Sequence, residues 1–168
     1  MYSYKVSIKD HWRLLSYPLI FILSFLLFMI YLLIVRFNGY QFIIFSSITI
    51  VIIAYGPAFL LHYNYYTKSK NSELVLHHNY LEVFKNKKSE HKIAKADILS
   101  IHIYMCPTYI DYGISGGMPM FEYNYLEIKT LDSNIIINNM IYPDLKKLSQ
   151  TYFDIHPIFH KTFFSYIK

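Results

Sequence analysis

Two uncharged apolar stretches stand in succession near the start of the chain, and they constrain everything after them. "LLSYPLIFILSFLLFMIYLLIV", residues 14–35, contains no charged side chain. As a helix it would reach about 33 Å, enough for a hydrocarbon layer about 30 Å thick. "FIIFSSITIVIIAYGPAFLL", residues 42–61, is a second such run. The link between them is short, and its Asn38-Gly39 pair is a strong turn signal. Two spans so joined must lie antiparallel. The expectation is a transmembrane helical hairpin, with spans at about 14–35 and 42–62 within an anchoring region 1–70. A signal peptide would have a shorter apolar centre and no second run behind it. Two buried helices of a water-soluble fold would need a larger core than the remaining hundred or so residues supply.

Charge sets the orientation. Lys5, Lys9 and Arg13 precede the first run, and Lys68 and Lys70 follow the second, while the link carries only Arg36. Positive flanks favour the cytoplasmic side, so both termini are expected in the cytoplasm. Tyr2, Tyr4, Trp12 and Tyr17 on one flank, and Tyr63, Tyr65 and Tyr66 on the other, suit an interfacial aromatic belt. The runs hold no Asp, Glu, Lys, Arg or His, which argues against a transport path. Ser46, Ser47, Ala54 and Gly56 are expected to let the helices approach closely. From Lys68 onward twelve lysines face ten acids, too even a balance for a nucleic-acid binder.

The second region, 71–168, reads as β structure. Leu74 and Leu76 alternate with polar neighbours, His78-Asn79 turns, and Tyr80 to Phe84 is extended. Asn86 to Ser89 turns again, and His91 to Ala94 returns. Ile98, Ile101 and Ile103 continue the alternation. "YLEIK" and "NIIIN" form a hairpin about Asp132-Ser133. "YPDLKKLSQTYF" then has a helical apolar stripe of Leu145, Leu148, Tyr152 and Phe153, with Asp144 at its positive end. The aromatic tail after it is expected to dock on protein rather than on the membrane.

Six or seven antiparallel strands closed by one C-terminal amphipathic helix resemble a pleckstrin-homology-like barrel. The residues carrying the resemblance are "ELVLHHNYLEVF", "HKIAKADILSIHI", "YLEIKTLDSNIIINN" and "PDLKKLSQTYF". The whole resembles small bacterial proteins with a helical hairpin ahead of a PH-like domain. The expected fold class is therefore an α+β membrane protein: a two-helix transmembrane hairpin, then a small antiparallel PH-like β-barrel capped by a C-terminal α-helix. The resemblance implies a non-enzymatic interaction module without catalytic residues or cofactor.

Two surfaces are candidates for binding. Lys85, Lys87, Lys88 and Lys92 lie on or beside one hairpin tip, where they could meet lipid headgroups. Lysines that keep an edge hairpin from aggregating are the preferred reading. The Pro- and Gly-containing stretch 105–121 is expected to be a loop. Together with Tyr104, its Tyr109, Tyr112, Met118 and Phe121 suit a protein partner of unknown identity. The alternative role is an immunity protein that neutralises a membrane-acting toxin through the hairpin.

Other motifs carry less. "GISGG" matches the serine-hydrolase pattern G-x-S-x-G, but Pro119 follows where a helix must start. His77-His78 would point to opposite faces of a strand, and His156 and His160 are interrupted by Pro157, so no metal site is expected. Cys106, the single cysteine, reads as a small buried apolar group.

Overall fold

A computed structural model describes residues 2–35, 40–112, 119–153 and 155–167. Met118, the side chain of Tyr112, the Asn38-Gly39 turn and the "GISGG" motif lie outside them. Strand β1 (Tyr2–Lys5) is followed by two long helices, α1 (Ile8–Val35) and α2 (Tyr40–Ser69). Strands β2 (Ser72–Leu76), β3 (Tyr80–Lys85) and β4 (Lys88–Ala94) complete a first antiparallel sheet in the order β1-β2-β3-β4. A second sheet, ordered β7-β6-β5-β8, comprises β5 (Ser100–Met105), β6 (Tyr125–Lys129), β7 (Asn134–Asn138) and β8 (Ile158–Lys161).

The helices are long because nothing polar interrupts their apolar runs. Pro18–Val35 alone has a mean hydropathy of 2.9. Leu23, Leu27, Ile30, Phe45, Ile52 and Ile53 all stand exposed along the pair, so by length and composition both helices could cross a membrane. Phe21 stacks on Tyr55 between them at 4.7 Å. Gly56 does not mediate their approach: a Cβ placed there would meet nothing within 4 Å.

Period-two alternation fills the main core. Ile101, Ile103 and Met105 of β5, Leu126 and Ile128 of β6, and Ile135 and Ile137 of β7 point inward. They meet Leu74, Leu76 and Leu81 from the first sheet, and Leu145, Leu148 and Phe153 lie against the same cluster. Cys106 is also buried.

Four expectations need correction. The sheets do not close into a barrel. Edge strand β4 presents Lys88, Glu90 and Lys92 outward, a pattern that resists pairing, and a groove separates its Glu90 and His91 from Asn134 and Ile136 of β7. The C-terminal helix is α only over α4 (Leu145–Lys147), capped by the Asp144 carboxylate, which accepts from the Lys147 N–H at 2.9 Å. Leu148–Phe153 continues as a wider π-helix, from which the Tyr152 hydroxyl donates to the carbonyls of His77 and Tyr80. The segment 105–121 is not all loop, since Pro107–Tyr112 forms helix α3 and Pro119–Glu122 a 3₁₀ turn. Finally, Tyr2 and Tyr4 belong to strand β1, whose Tyr4 packs edge-on against Tyr142 at 4.7 Å.

The sheet therefore begins before the helices and resumes after them. Tyr2 pairs with Leu76 and Lys5 with Glu73, so the hairpin is an insertion between two hydrogen-bonded strands. A second, smaller core fastens the helices to the second sheet. Leu14 of α1 and Ala58, Leu61 and Tyr65 of α2 surround Tyr123, Met140 and Ile167. The tail packs on protein. Strand β8 runs parallel to β5, and the chain beyond it lies along α2.

Candidate functional site

A groove of about 510 Å³ opens where the helices meet the first sheet. Its lining includes Lys5, Asn71, Phe84, Asn86 and Lys87. The Asn86 N–H donates to the carbonyl of Asn71 at 3.0 Å, and the Asn71 amide donates to the Asn86 side-chain oxygen at 3.1 Å. These bonds tie the β3–β4 tip to the end of α2. The tip is a two-residue turn with both residues in the left-handed region, Asn86 at φ 51° and Lys87 at φ 66°. Asparagine tolerates that conformation, whereas lysine is strained there by about 1–2 kcal/mol. Sequence preference alone would place glycine at residue 87. The turn thus holds a long cationic side chain on the groove's rim.

On the other side of the groove, Lys5 pairs with Glu73 at 2.9 Å. The hydroxyl of Ser3, and then the Lys5 ammonium, hold the Glu73 carboxyl below its usual range. Both groups stabilise the carboxylate by hydrogen bonding, so β1 is fastened to β2 by charge as well as by its ladder.

The four lysines singled out in the sequence are spread along the β3–β4 hairpin. Lys87 lines this groove. Lys85 and Lys88 lie across the turn from one another, and Lys85 is 4.0 Å from Glu90. Lys92 sits farther along β4, its ammonium 4.4 Å above the ring of Tyr80. The aromatic candidates diverge as well. Tyr109 on α3 packs against the main core. Phe121 is buried in the 3₁₀ turn, 6.0 Å from Phe163. Tyr104 points to the outer face of the second sheet.

That outer face carries a ladder of rings. Tyr104 stacks on Tyr125 at 4.6 Å and on His160 at 4.5 Å, and His160 stacks on His102. Nδ1 of His102 lies 2.7 Å from Nε2 of His160, and the Tyr104 hydroxyl donates to Glu127 at 3.3 Å. Burial, then Tyr104 and Glu127, push the Tyr125 phenol up to about 12. Burial, aided by Lys129 and His160 and opposed by Glu127, lowers the His102 imidazole. The ladder is thus a hydrogen-bonded surface with the Glu127 carboxylate at its side. The i,i+4 spacing of His156 and His160, interrupted by Pro157, gave no reason to pair them; the residue that His160 meets, His102, lies on a strand that the parallel β5–β8 pairing brings alongside.

A third cluster, also invisible in the sequence, couples the helices to the second sheet. Nδ1 of His11 is 2.9 Å from Nε2 of His62, whose Nδ1 is 3.0 Å from the Tyr123 hydroxyl. Arg13 donates to the carbonyl of Asn139 nearby. Tyr123 is fully buried, and burial with Glu122 raises its phenol, so its hydroxyl stays protonated beside His62 Nδ1. This chain fixes the angle between helices and sheets.

Comparison with known proteins gives one match. A family model described as a PH domain matches residues 3–150, which takes in β1, both helices and all strands through β7. No curated protein and no solved structure matches the chain.

Proposed function

The chain belongs to the PH-domain family, and on that premise we propose that it is a non-catalytic binding module anchored by its helical hairpin at the cytoplasmic face of a bacterial inner membrane. The observation that carries this reading is the position of the hairpin. Two helices apolar enough to cross a bilayer leave the fold between β1 and β2 and expose their apolar side chains instead of burying them in the sheets. In water such a surface would drive association, whereas in lipid it is the stable arrangement. The lysines and Arg13 on the flanks support a cytoplasmic body.

The recognition surface in this reading is the groove at the foot of the helices. Lys5 and Lys87 stand at its rim with the Asn71 and Asn86 amides, and Phe84 supplies an apolar wall. That combination suits an acidic group carried on a partner.

Fractionation of cells expressing the full chain tests the anchor. The protein should stay with membranes washed in alkaline carbonate, and the sheets should be digested by protease in inverted vesicles but not in right-side-out ones. Recovery of monodisperse chain from the soluble fraction without detergent would refute the proposal.

A further inference from the structure

We infer that the tail, residues 163–167, is a membrane-interface contact that seats the two sheets against the bilayer, with Phe164 and Tyr166 in the headgroup layer. The inference rests on the proposed insertion of the hairpin. It assigns a role to a segment beyond the apolar runs and beyond the residues that match the family.

The level of the tail along α2 follows from its hydrogen bonds. The Tyr65 hydroxyl donates to the carbonyl of Ser165 at 2.7 Å. Asn64 then holds Ile167 from both sides, its amide donating to the Ile167 carbonyl at 3.1 Å and its oxygen accepting from the Ile167 N–H at 3.0 Å. Ile167 continues into the cluster of Leu61, Ala58 and Leu14. The tail thus advances toward the apolar run and ends beside its last residues. Asn64 is three residues past Leu61, about 4.5 Å along the helix. A headgroup layer extends about 5–7 Å beyond the hydrocarbon, so this level falls within it.

Other side chains mark the same level. His11 meets His62, and the next residue along each helix, Trp12 on α1 and Tyr63 on α2, is 61% and 70% exposed. The tail adds its own. Ser165 and Ile167 turn inward to α2, while Phe164 and Tyr166 turn outward, 41% and 49% exposed, with rings parallel at 6.1 Å. Phe163, beside Phe121, is more exposed still. Three large rings in four residues, clamped by buried hydrogen bonds against a helix about to enter lipid, suit the water–lipid boundary, where an apolar body with a polar tip is favoured.

The test uses the full chain in phosphatidylcholine–phosphatidylglycerol vesicles whose lipids carry bromine either near the headgroup or deep in the acyl chain. Trp12, the single tryptophan, is first replaced (Trp12→Phe). Phe164→Trp and, separately, Tyr166→Trp then report the tail, Leu23→Trp the apolar run, and Leu131→Trp the exposed β6–β7 turn. Both tail reporters should lose fluorescence to shallow bromine more than to deep bromine. Leu23→Trp should be quenched most by deep bromine, and Leu131→Trp by neither. Tail reporters that behave like Leu131→Trp, with Leu23→Trp still quenched, would overturn the inference and leave the anchor standing. An unquenched Leu23→Trp would overturn both.

Discussion

Replacing Asn64 by leucine should release the end of the tail without unfolding the sheets. Asn64 is buried on α2 and satisfies both the N–H and the carbonyl of Ile167. Leucine has a similar volume and neither polar group. Each buried partner left unmatched costs about 1–3 kcal/mol, so the pair costs about 2–6 kcal/mol. Two interactions resist release. Burial of Ile167 among Leu61, Ala58 and Leu14 is worth about 1.5–3 kcal/mol. The bond from Tyr65 to Ser165 adds about 0.5–1.5 kcal/mol net. The restraint sums to about 2–4.5 kcal/mol, overlapping the penalty, and the freed residues regain backbone entropy of about 1 kcal/mol each, so residues 165–167 should leave α2. The rest should hold, because β8 keeps its ladder to β5 and Lys161 keeps Asp111 at 2.8 Å. Hydrogen exchange read by mass spectrometry on the full chain in detergent micelles would report this. Peptides covering 162–167 should exchange at the earliest time point, while those covering β5 and β6 should keep wild-type protection. Retained protection of the tail would refute the clamp, and loss of protection in the sheets as well would refute its independence from the main core.

Three further outcomes follow from the same structure. Leu148→Asp puts a charge into the main core, where Leu148 is 1% exposed, and should unfold both sheets at a cost of several kcal/mol, seen as loss of near-ultraviolet dichroism. Lys87→Gly relieves a left-handed lysine and should stabilise the first sheet by up to about 1 kcal/mol in urea titrations, while weakening capture of any acidic partner that uses the groove. The His102 imidazole is lowered by burial, so the unfolded chain binds its proton first. Its contribution is complete above the ordinary value of 6.5 and is lost as the pH falls from there toward the depressed folded value. Exchange of the β8 amides should rise over that interval, and His102→Gln should flatten the rise.

Which parts of the fold were legible follows from the range of the interactions involved. Leu126, Ile128, Ile135 and Ile137 alternate in sequence because they alternate in space, and the turn at Asp132 and Ser133 is local, so that hairpin could be read directly. Strand β1 could not. Its four residues are too few to show a period, and their partners lie beyond both helices. Strand β8 follows Pro157 and joins β5 in parallel, a pairing no local signal announces. The π-helical end of the C-terminal helix kept its predicted stripe while changing its winding, because the stripe reports burial rather than pitch. At the groove, Lys87 was visible as a charge. Its strain, and the bonds that bring Asn86 to Asn71, depend on backbone that only folding supplies.

On the proposed membrane insertion, the placement of the helices between β1 and β2 makes membrane entry and sheet assembly a single problem. Closing a flexible loop over residues 6–71 would cost on the order of 4 kcal/mol. Strand β1 has little to set against that, since only Tyr4 of its residues packs toward the core, and the Lys5–Glu73 pair is partly exposed. An exposed pair of this kind contributes at most about 1 kcal/mol. A hairpin already folded in lipid removes most of the closure cost, because it holds Ile8 and Ser69 near one another before either strand pairs. Strand β1 is then the last element to join the first sheet and the first to leave it. Since Lys5 lines the groove from β1, the groove is complete only while β1 stays paired with β2, and on the proposed insertion that pairing follows from a hairpin already closed.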